Sequence, residues 1–156
     1  AGVNIVYHRH RMLKPRWDKP MIPHCTLVNN VVIFSLFPGI REDHVRHLLN
    51  TPDLRAMVMR TFGSGNAPQA AWLTQALSEA HDHGKVIVNV SQCMAGSVEM
   101  ARYDAGFHLK EAGVTSGYDS TVESAVTKLM YVMGRSNDPD EIRYYMSQSI
   151  RGEISI

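Results

Sequence analysis

The sequence predicts a three-layer α/β domain, with about four parallel strands flanked by helices. Short continuous apolar runs rich in β-branched residues recur along the chain, and each reads as a strand buried on both faces. Helix-period segments separate these runs, and glycine or proline closes nearly every one. Strands alternating with helices at this spacing build βαβ units, which place parallel strands in one covered sheet.

The elements follow in order. Val3 to Tyr7 is extended in character, and polar alternation continues through His8, Arg9, His10 and Arg11. Pro15, Pro20 and Pro23 break regular structure, so Lys14 to Pro20 reads as a loop. Asn30 to Phe37 (NVVIFSLF) is the first predicted strand, closed by Pro38-Gly39. Glu42 to Leu49 is a short helix that stops near Asn50-Thr51-Pro52. Arg55 to Phe62 is a second strand, ended by Gly63. Gln69 to His83 carries Trp72, Leu73, Ala76, Leu77 and Ala80 at helical spacing and stops at Gly84. Lys85 to Val90 is a third buried strand, and Val98 to Glu111 a helix ending at Gly113. Val114-Thr115 is a brief fourth strand. Ser120 to Met133 is a helix with Ser120 and Glu123 spaced as a capping box. Asp138-Pro139 opens a last helix that runs to about Ile150.

Composition narrows the class. The chain has 156 residues, 44% of them apolar, which suits one domain with one solid core. Sixteen Lys and Arg against fifteen Asp and Glu leave a net charge of +1, which points away from nucleic-acid and membrane partners. No apolar run approaches the roughly 20 residues of a transmembrane helix, and neither end resembles a secretory signal, so a cytoplasmic location is expected. Ala1-Gly2-Val3 lacks an initiator Met, and the chain is read as a piece cut from a longer protein. Residues 1–29 are expected to be a linker and irregular segment, and residues 30–156 the α/β domain. Cys25 and Cys93 lie far apart, which favours two free thiols over a disulfide scaffold.

Ligands of open parallel sheets bind beyond the carboxyl ends of the strands, and the unusual loops of this chain fall there. Gly63-Ser64-Gly65-Asn66-Ala67-Pro68 joins a strand to a helix. It is either a plain glycine turn or a cradle for an anion at a helix N-terminus, with Pro68 in the first turn and Asn66 adding an amide. Ser91 to Ser97 makes Cys93 either a packed thiol or part of a small polar pocket; no neighbouring base would activate it as a nucleophile. In Gly117 to Thr121, Asp119 either caps the next helix or receives an ammonium. Arg60 stands at the end of an apolar strand, where a charge needs an internal partner, such as Asp119, or a ligand. His8, His10, His24, His81 and His83 form no compact metal-binding set, because His81 and His83 stand two apart on a helix. No metal or cofactor is expected. Met57, Met59, Met94, Met100, Met130, Met133 and Met146 read as core fillers.

Taken together, several stretches resemble the C-terminal domain of the type I (cytoplasmic) bacterial L-asparaginases. They are Phe37 to Ile40, Arg60 to Pro68, Asn89 to Gly96, Glu111 to Val114, Gly117 to Glu123, Leu129, Met146 to Gln148 and Arg151 to Glu153. The likeness runs in order from about Val31, and Ala-Gly-Val-Asn-Ile at the start resembles the interdomain linker. Such enzymes hydrolyse L-asparagine to aspartate and ammonia with two threonines, an aspartate and a lysine of an N-terminal catalytic domain. That domain is absent here; Thr127-Lys128 is no substitute, so no catalytic residue lies in this chain and the fragment alone is expected to be inactive. The resemblance implies that Asn66 reaches across a subunit interface to contact substrate, within a homodimer or homotetramer of the full-length enzyme. It also implies that Arg60, Cys93 and Asp119 are ligand positions of an allosteric asparagine site. A related tRNA amidotransferase subunit and a stand-alone amino-acid-binding module are the alternatives.

Overall fold

The apolar run from Ala56 to Met59 sends alternate side chains into two different cores, as the period of two in a strand requires. Met57 and Met59 pack with Leu36, Leu73, Leu77 and Ile87 on one side; Ala56 and Val58 pack with Val88, Val90, Leu129 and Val132 on the other. This computed structural model describes residues 7, 9–12, 14, 18, 20–94, 96–98 and 104–155. Its sheet contains β1 (Val31–Ser35), β2 (Ala56–Thr61), β3 (Val86–Ser91) and β4 (Thr115–Ser116), all parallel and in sequential order. The register sets Val31 opposite Ala56, and Ala56 opposite Val86.

Helices α1 (Glu42–Leu49), α2 (Ala71–Asp82) and α3 (Asp104–Glu111) connect successive strands, and their buried residues belong to the first core. Helices α4 (Val122–Met133) and α5 (Pro139–Met146) follow the last strand and close the opposite face. The result is the expected three-layer α/β architecture. Leu77 and Leu129, both 0% exposed, mark the two cores. Each such burial is worth about 1.5–3 kcal/mol relative to exposure.

Several local expectations change. The first strand is the sheet's edge, not a strand buried on both faces: it pairs with β2 alone, and Ile33 is 48% exposed. Helix α2 begins at Ala71, with no side-chain cap on Ala70, so Pro68 precedes the helix instead of opening it. Val98 lies outside α3, and residues 99–103 of the expected helix lie outside the described residues. Thr121, not Ser120, caps α4, its Oγ1 accepting from the N–H of Ser124 at 3.2 Å. Ser120 is occupied elsewhere, donating to the Gly117 carbonyl at 2.6 Å. Helix α5 does begin at Pro139, with Asp138 capping the N–H of Asp140, but it ends at Met146. Met94 is fully exposed, while Met57, Met59, Met133 and Met146 are buried as expected. Residues 1–6 and most of the predicted loop from Lys14 to Pro20 lie outside the described residues, as do His8 and Met100.

Residues 20–30 run without regular structure along α4, where the Val28 N–H donates to the Met130 carbonyl at 3.1 Å. A Cβ on Gly134 would collide with the Thr26 carbonyl, so glycine is what allows this close crossing.

Candidate functional site

The carboxyl ends of β2 and β3 carry polar residues in an otherwise apolar sheet. Thr61 and Asn89 are each 0% exposed, so their polar atoms need partners inside the protein. Thr61 Oγ1 donates to Asn89 Oδ1 at 2.6 Å, and Asn89 Nδ2 donates to the Gly65 carbonyl at 3.1 Å. Ser91 Oγ donates to the Gly63 carbonyl at 2.5 Å and accepts the Cys93 N–H at 2.9 Å. Gln92 Nε2 donates to the carbonyls of Leu36 and Arg60 at 2.7 and 3.0 Å. These bonds tie the Gly63–Pro68 loop to β3. The loop closes on itself through reciprocal bonds between the backbones of Phe62 and Asn66 at 2.9 and 2.8 Å. Gly65 sits at φ +104°, and a Cβ there would lie 2.8 Å from Val98 Cγ1.

The loop displays Asn66 half-buried, with its side-chain amide making no hydrogen bond among the described residues. It is a turn built on buried hydrogen bonds. The anion cradle at a helix N-terminus, the other reading of this loop, is not formed, because α2 starts three residues beyond Pro68.

Arg60, Cys93 and Asp119 line one cavity of about 490 Å³. Gln92, Ser120 and Thr121 contribute to its wall. The three come together because each stands at or just past the carboxyl end of a neighbouring parallel strand. Strand order does not reverse within this sheet, so the cavity lies between the loops and the start of α4 and not at a switch point.

Arg60 donates from Nη1 to Ser35 Oγ at 3.3 Å, while its buried Nε makes no hydrogen bond. Among the described residues it forms no ion pair, so the internal salt bridge with Asp119 is not made. An unsatisfied buried donor costs about 1–3 kcal/mol, which an acceptor in the cavity would recover. Cys93 is an exposed free thiol, as is Cys25, so Cys93 is not the packed thiol of the simpler reading. Asp119 is exposed and does not cap α4; its Oδ1 accepts the backbone N–H of Ser155 at 2.7 Å.

That last contact belongs to a feature the sequence reading missed. Lys128 is buried on α4 and pairs with Glu153 at 2.6 Å, while also donating to the carbonyls of Met146 and Gln148. Glu153 accepts in addition from the N–H groups of Ile150 and Arg151. Burial pushes the Glu153 carboxyl up, but the Ile150 N–H, the Lys128 ammonium and the Arg151 N–H outweigh it and bring it down to about 2. The signal was present in the helical phase: Ala125, Lys128, Leu129 and Val132 share one face, which buries the lysine and obliges it to find an anion.

The model of the glutaminase/asparaginase C-terminal domain matches residues 30–146. The chain belongs to that family. This asparaginase C-terminal domain is 41% identical over 141 residues to L-asparaginase 1 of Escherichia coli K12, covering 90% of the chain and 41% of that protein. It is 37% identical over 156 residues to the human 60 kDa lysophospholipase, covering 99% of the chain and 27% of that protein. Among solved structures, L-asparaginase I of Vibrio cholerae superposes with a TM-score of 0.78 at 39% identity, over 83% of this chain and 39% of that one. The asparaginase C-terminal domain thus spans well under half the length of these relatives. A glutamyl-tRNA(Gln) amidotransferase polypeptide of Methanobrevibacter smithii is also a relative, though that kinship is no better supported than the one to the L-asparaginases. Among the described residues, no helix is long and apolar enough to cross a membrane.

Proposed function

We propose that this asparaginase C-terminal domain serves a cytoplasmic L-asparaginase, which hydrolyses L-asparagine to L-aspartate and ammonia. In this reading residues 1–29 are the linker from an N-terminal catalytic domain, and residues 30–156 form the domain. The domain holds no catalytic residue of its own. Asn66 completes the active site of a neighbouring subunit in a homodimer or homotetramer, and its unengaged amide supports that role.

The cavity of Arg60, Cys93 and Asp119 binds L-asparagine as a regulator. The single observation that carries this is the buried, unpartnered Nε of Arg60 in a cavity that also holds a carboxylate. An amino acid matches that pattern: its carboxylate meets the guanidinium, its ammonium meets Asp119, and its amide faces the backbone of the Cys93 loop.

Calorimetric titration of the chain and of Arg60→Ala with L- and D-asparagine tests the site. L-asparagine should bind weakly, D-asparagine more weakly still, and Arg60→Ala should abolish binding without unfolding the chain. Equal binding of L-asparagine by wild type and variant would remove Arg60 from the site. In the full-length enzyme, Asn66→Ala should lower kcat/KM through misplaced substrate, and an unchanged value would exclude the cross-subunit contact.

A further inference from the structure

Ser124, Lys128 and Tyr131 recur at helical spacing and so share one face of α4. Along that face runs a trough. Two adjoining cavities of about 360 and 310 Å³ have Ile22, His24, Tyr131, Ile150 and Arg151 in common, and neither shares a lining residue with the Arg60 cavity. The floor extends from Ser124 to Arg135, just past the end of α4, about 16 Å at the rise of an α-helix. One wall is the segment around Ile22 and His24. The other is the C-terminal tail, which the Lys128–Glu153 ion pair clasps to α4.

The trough is apolar in the middle and cationic at its rim. Ile22 is 70% exposed, and Met21 and Leu27 of the same segment are exposed as well. Tyr131 stands at the centre, its ring 6.3 Å from that of His24 in an edge-on arrangement. The Arg135 guanidinium lies 5.4 Å from the centre of the Tyr131 ring and donates to its hydroxyl at 2.8 Å, while Arg151 donates to the Ile150 carbonyl at 2.9 Å. A guanidinium has five N–H donors, and among the described residues neither arginine forms an ion pair. Among those residues Glu153 is the one carboxylate lining the trough, and Lys128 balances its charge. Positive charge is therefore left at two separate points, because Arg151 borders both cavities and Arg135 only one. Among the described residues, no backbone group of residues 20–27 makes a hydrogen bond, so that wall also offers main-chain donors and acceptors.

We propose that this trough docks an extended segment of a separate partner protein in which acidic residues alternate with apolar ones. About five extended residues cover roughly 16 Å and turn alternate side chains to opposite sides. The apolar set meets Ile22, Tyr131 and Ile150, the carboxylates reach Arg135 and Arg151, and the main chain lies along residues 20–27. A single-headed amphiphile would answer one arginine and leave the other, whereas a peptide carries charge at intervals.

Fluorescence polarisation of labelled peptides on the 156-residue chain tests this. Asp-Leu-Asp-Leu-Asp should bind, and less tightly as salt rises. Lys-Leu-Lys-Leu-Lys and Asp-Ser-Asp-Ser-Asp should each bind roughly tenfold more weakly. Arg135→Glu combined with Arg151→Glu should weaken the Asp-Leu peptide roughly tenfold and strengthen the Lys-Leu peptide, a reversal that mere loss of structure would not produce.

Absent binding of the Asp-Leu peptide, or equal binding of all three, overturns the proposal. Dodecanoate binding where the Asp-Leu peptide does not would assign the trough to an amphiphile and overturn it too. Should the double variant not fold, Ile22→Asp on the exposed segment takes its place: a roughly tenfold loss for the Asp-Leu peptide supports docking, and unchanged binding refutes it. The full-length enzyme should bind the peptide as the chain does. If only the chain binds it, another part of the same polypeptide fills the trough, and the separate partner is ruled out.

Discussion

Two polar clusters sit side by side at the carboxyl end of this sheet, and they are finished to different degrees. Beneath the Asn66 loop, Thr61, Asn89, Ser91 and the carbonyls of Gly63 and Gly65 satisfy one another within the protein. In the neighbouring cavity, the Arg60 Nε has no partner and Cys93 is exposed. A closed network gains rigidity and has nothing left to offer a ligand. An open one keeps a donor in reserve, at a standing cost in stability. Substitutions in the first should therefore unfold the domain, and substitutions in the second should leave it folded but blind.

The largest effect is expected at Asn89→Ala, which leaves the Gly65 carbonyl without its partner and the Thr61 hydroxyl with only the longer bond to the Val90 carbonyl at 3.4 Å. Urea denaturation should show a loss of about 3 kcal/mol, and a loss below about 1 kcal/mol would mean that the network is dispensable. Gly65→Ala should follow at about 2 kcal/mol, because φ +104° and the contact with Val98 both oppose a Cβ. A neutral outcome in the same assay would show that the loop relaxes freely.

The tail clasp sharpens the contrast by adding a pH dependence. Glu153 ionises at about 2 in the folded chain, below its ordinary value of 4.5. Its contribution is thus fully present above pH 4.5 and is lost as pH falls through about 2. Wild type should lose roughly 1–3 kcal/mol more than Glu153→Gln over that window; parallel pH curves would count against the clasp. The smallest stability effect belongs to Arg60→Ala. Loss of the bond to Ser35 is offset by relief of the unsatisfied Nε, so unfolding free energy should fall by no more than about 0.5 kcal/mol while L-asparagine binding weakens at least tenfold. A large destabilisation with unchanged binding would place Arg60 among the structural residues and erase the distinction between the clusters.

The strands and helices were legible because their signals are local. A continuous run such as Val86 to Val90 announces a covered strand within five residues. The same kind of run misled at β1, because an edge strand and a central one share an apolar composition and only pairing separates them. At α4, Ser120 and Thr121 are both good caps standing next to each other, and the geometry of the 117–120 turn decided between them.

The nearness of Arg60, Cys93 and Asp119 follows from topology, since each stands at or just past the end of an adjacent parallel strand. The Thr61–Asn89 bond spans 28 positions and the Ser155–Asp119 bond 36, and neither has a periodicity to betray it. Lys128 was the exception, a long-range contact flagged by the phase of its own helix.

The sequential strand order also has a consequence for how the chain is made. Each strand pairs with the one synthesised just before it, and the connecting helices cover one face of the sheet as they emerge. The other face, with Val58, Val88 and Val90, waits for α4 and α5, which come last. A nascent chain halted near Ser120 would present a paired sheet with one bare apolar side, the kind of surface on which chaperones act and aggregates start. Chains truncated there should bind an apolar dye that chains reaching Gln148 exclude. The interval between β4 and α5 is thus the vulnerable moment in the biogenesis of this domain.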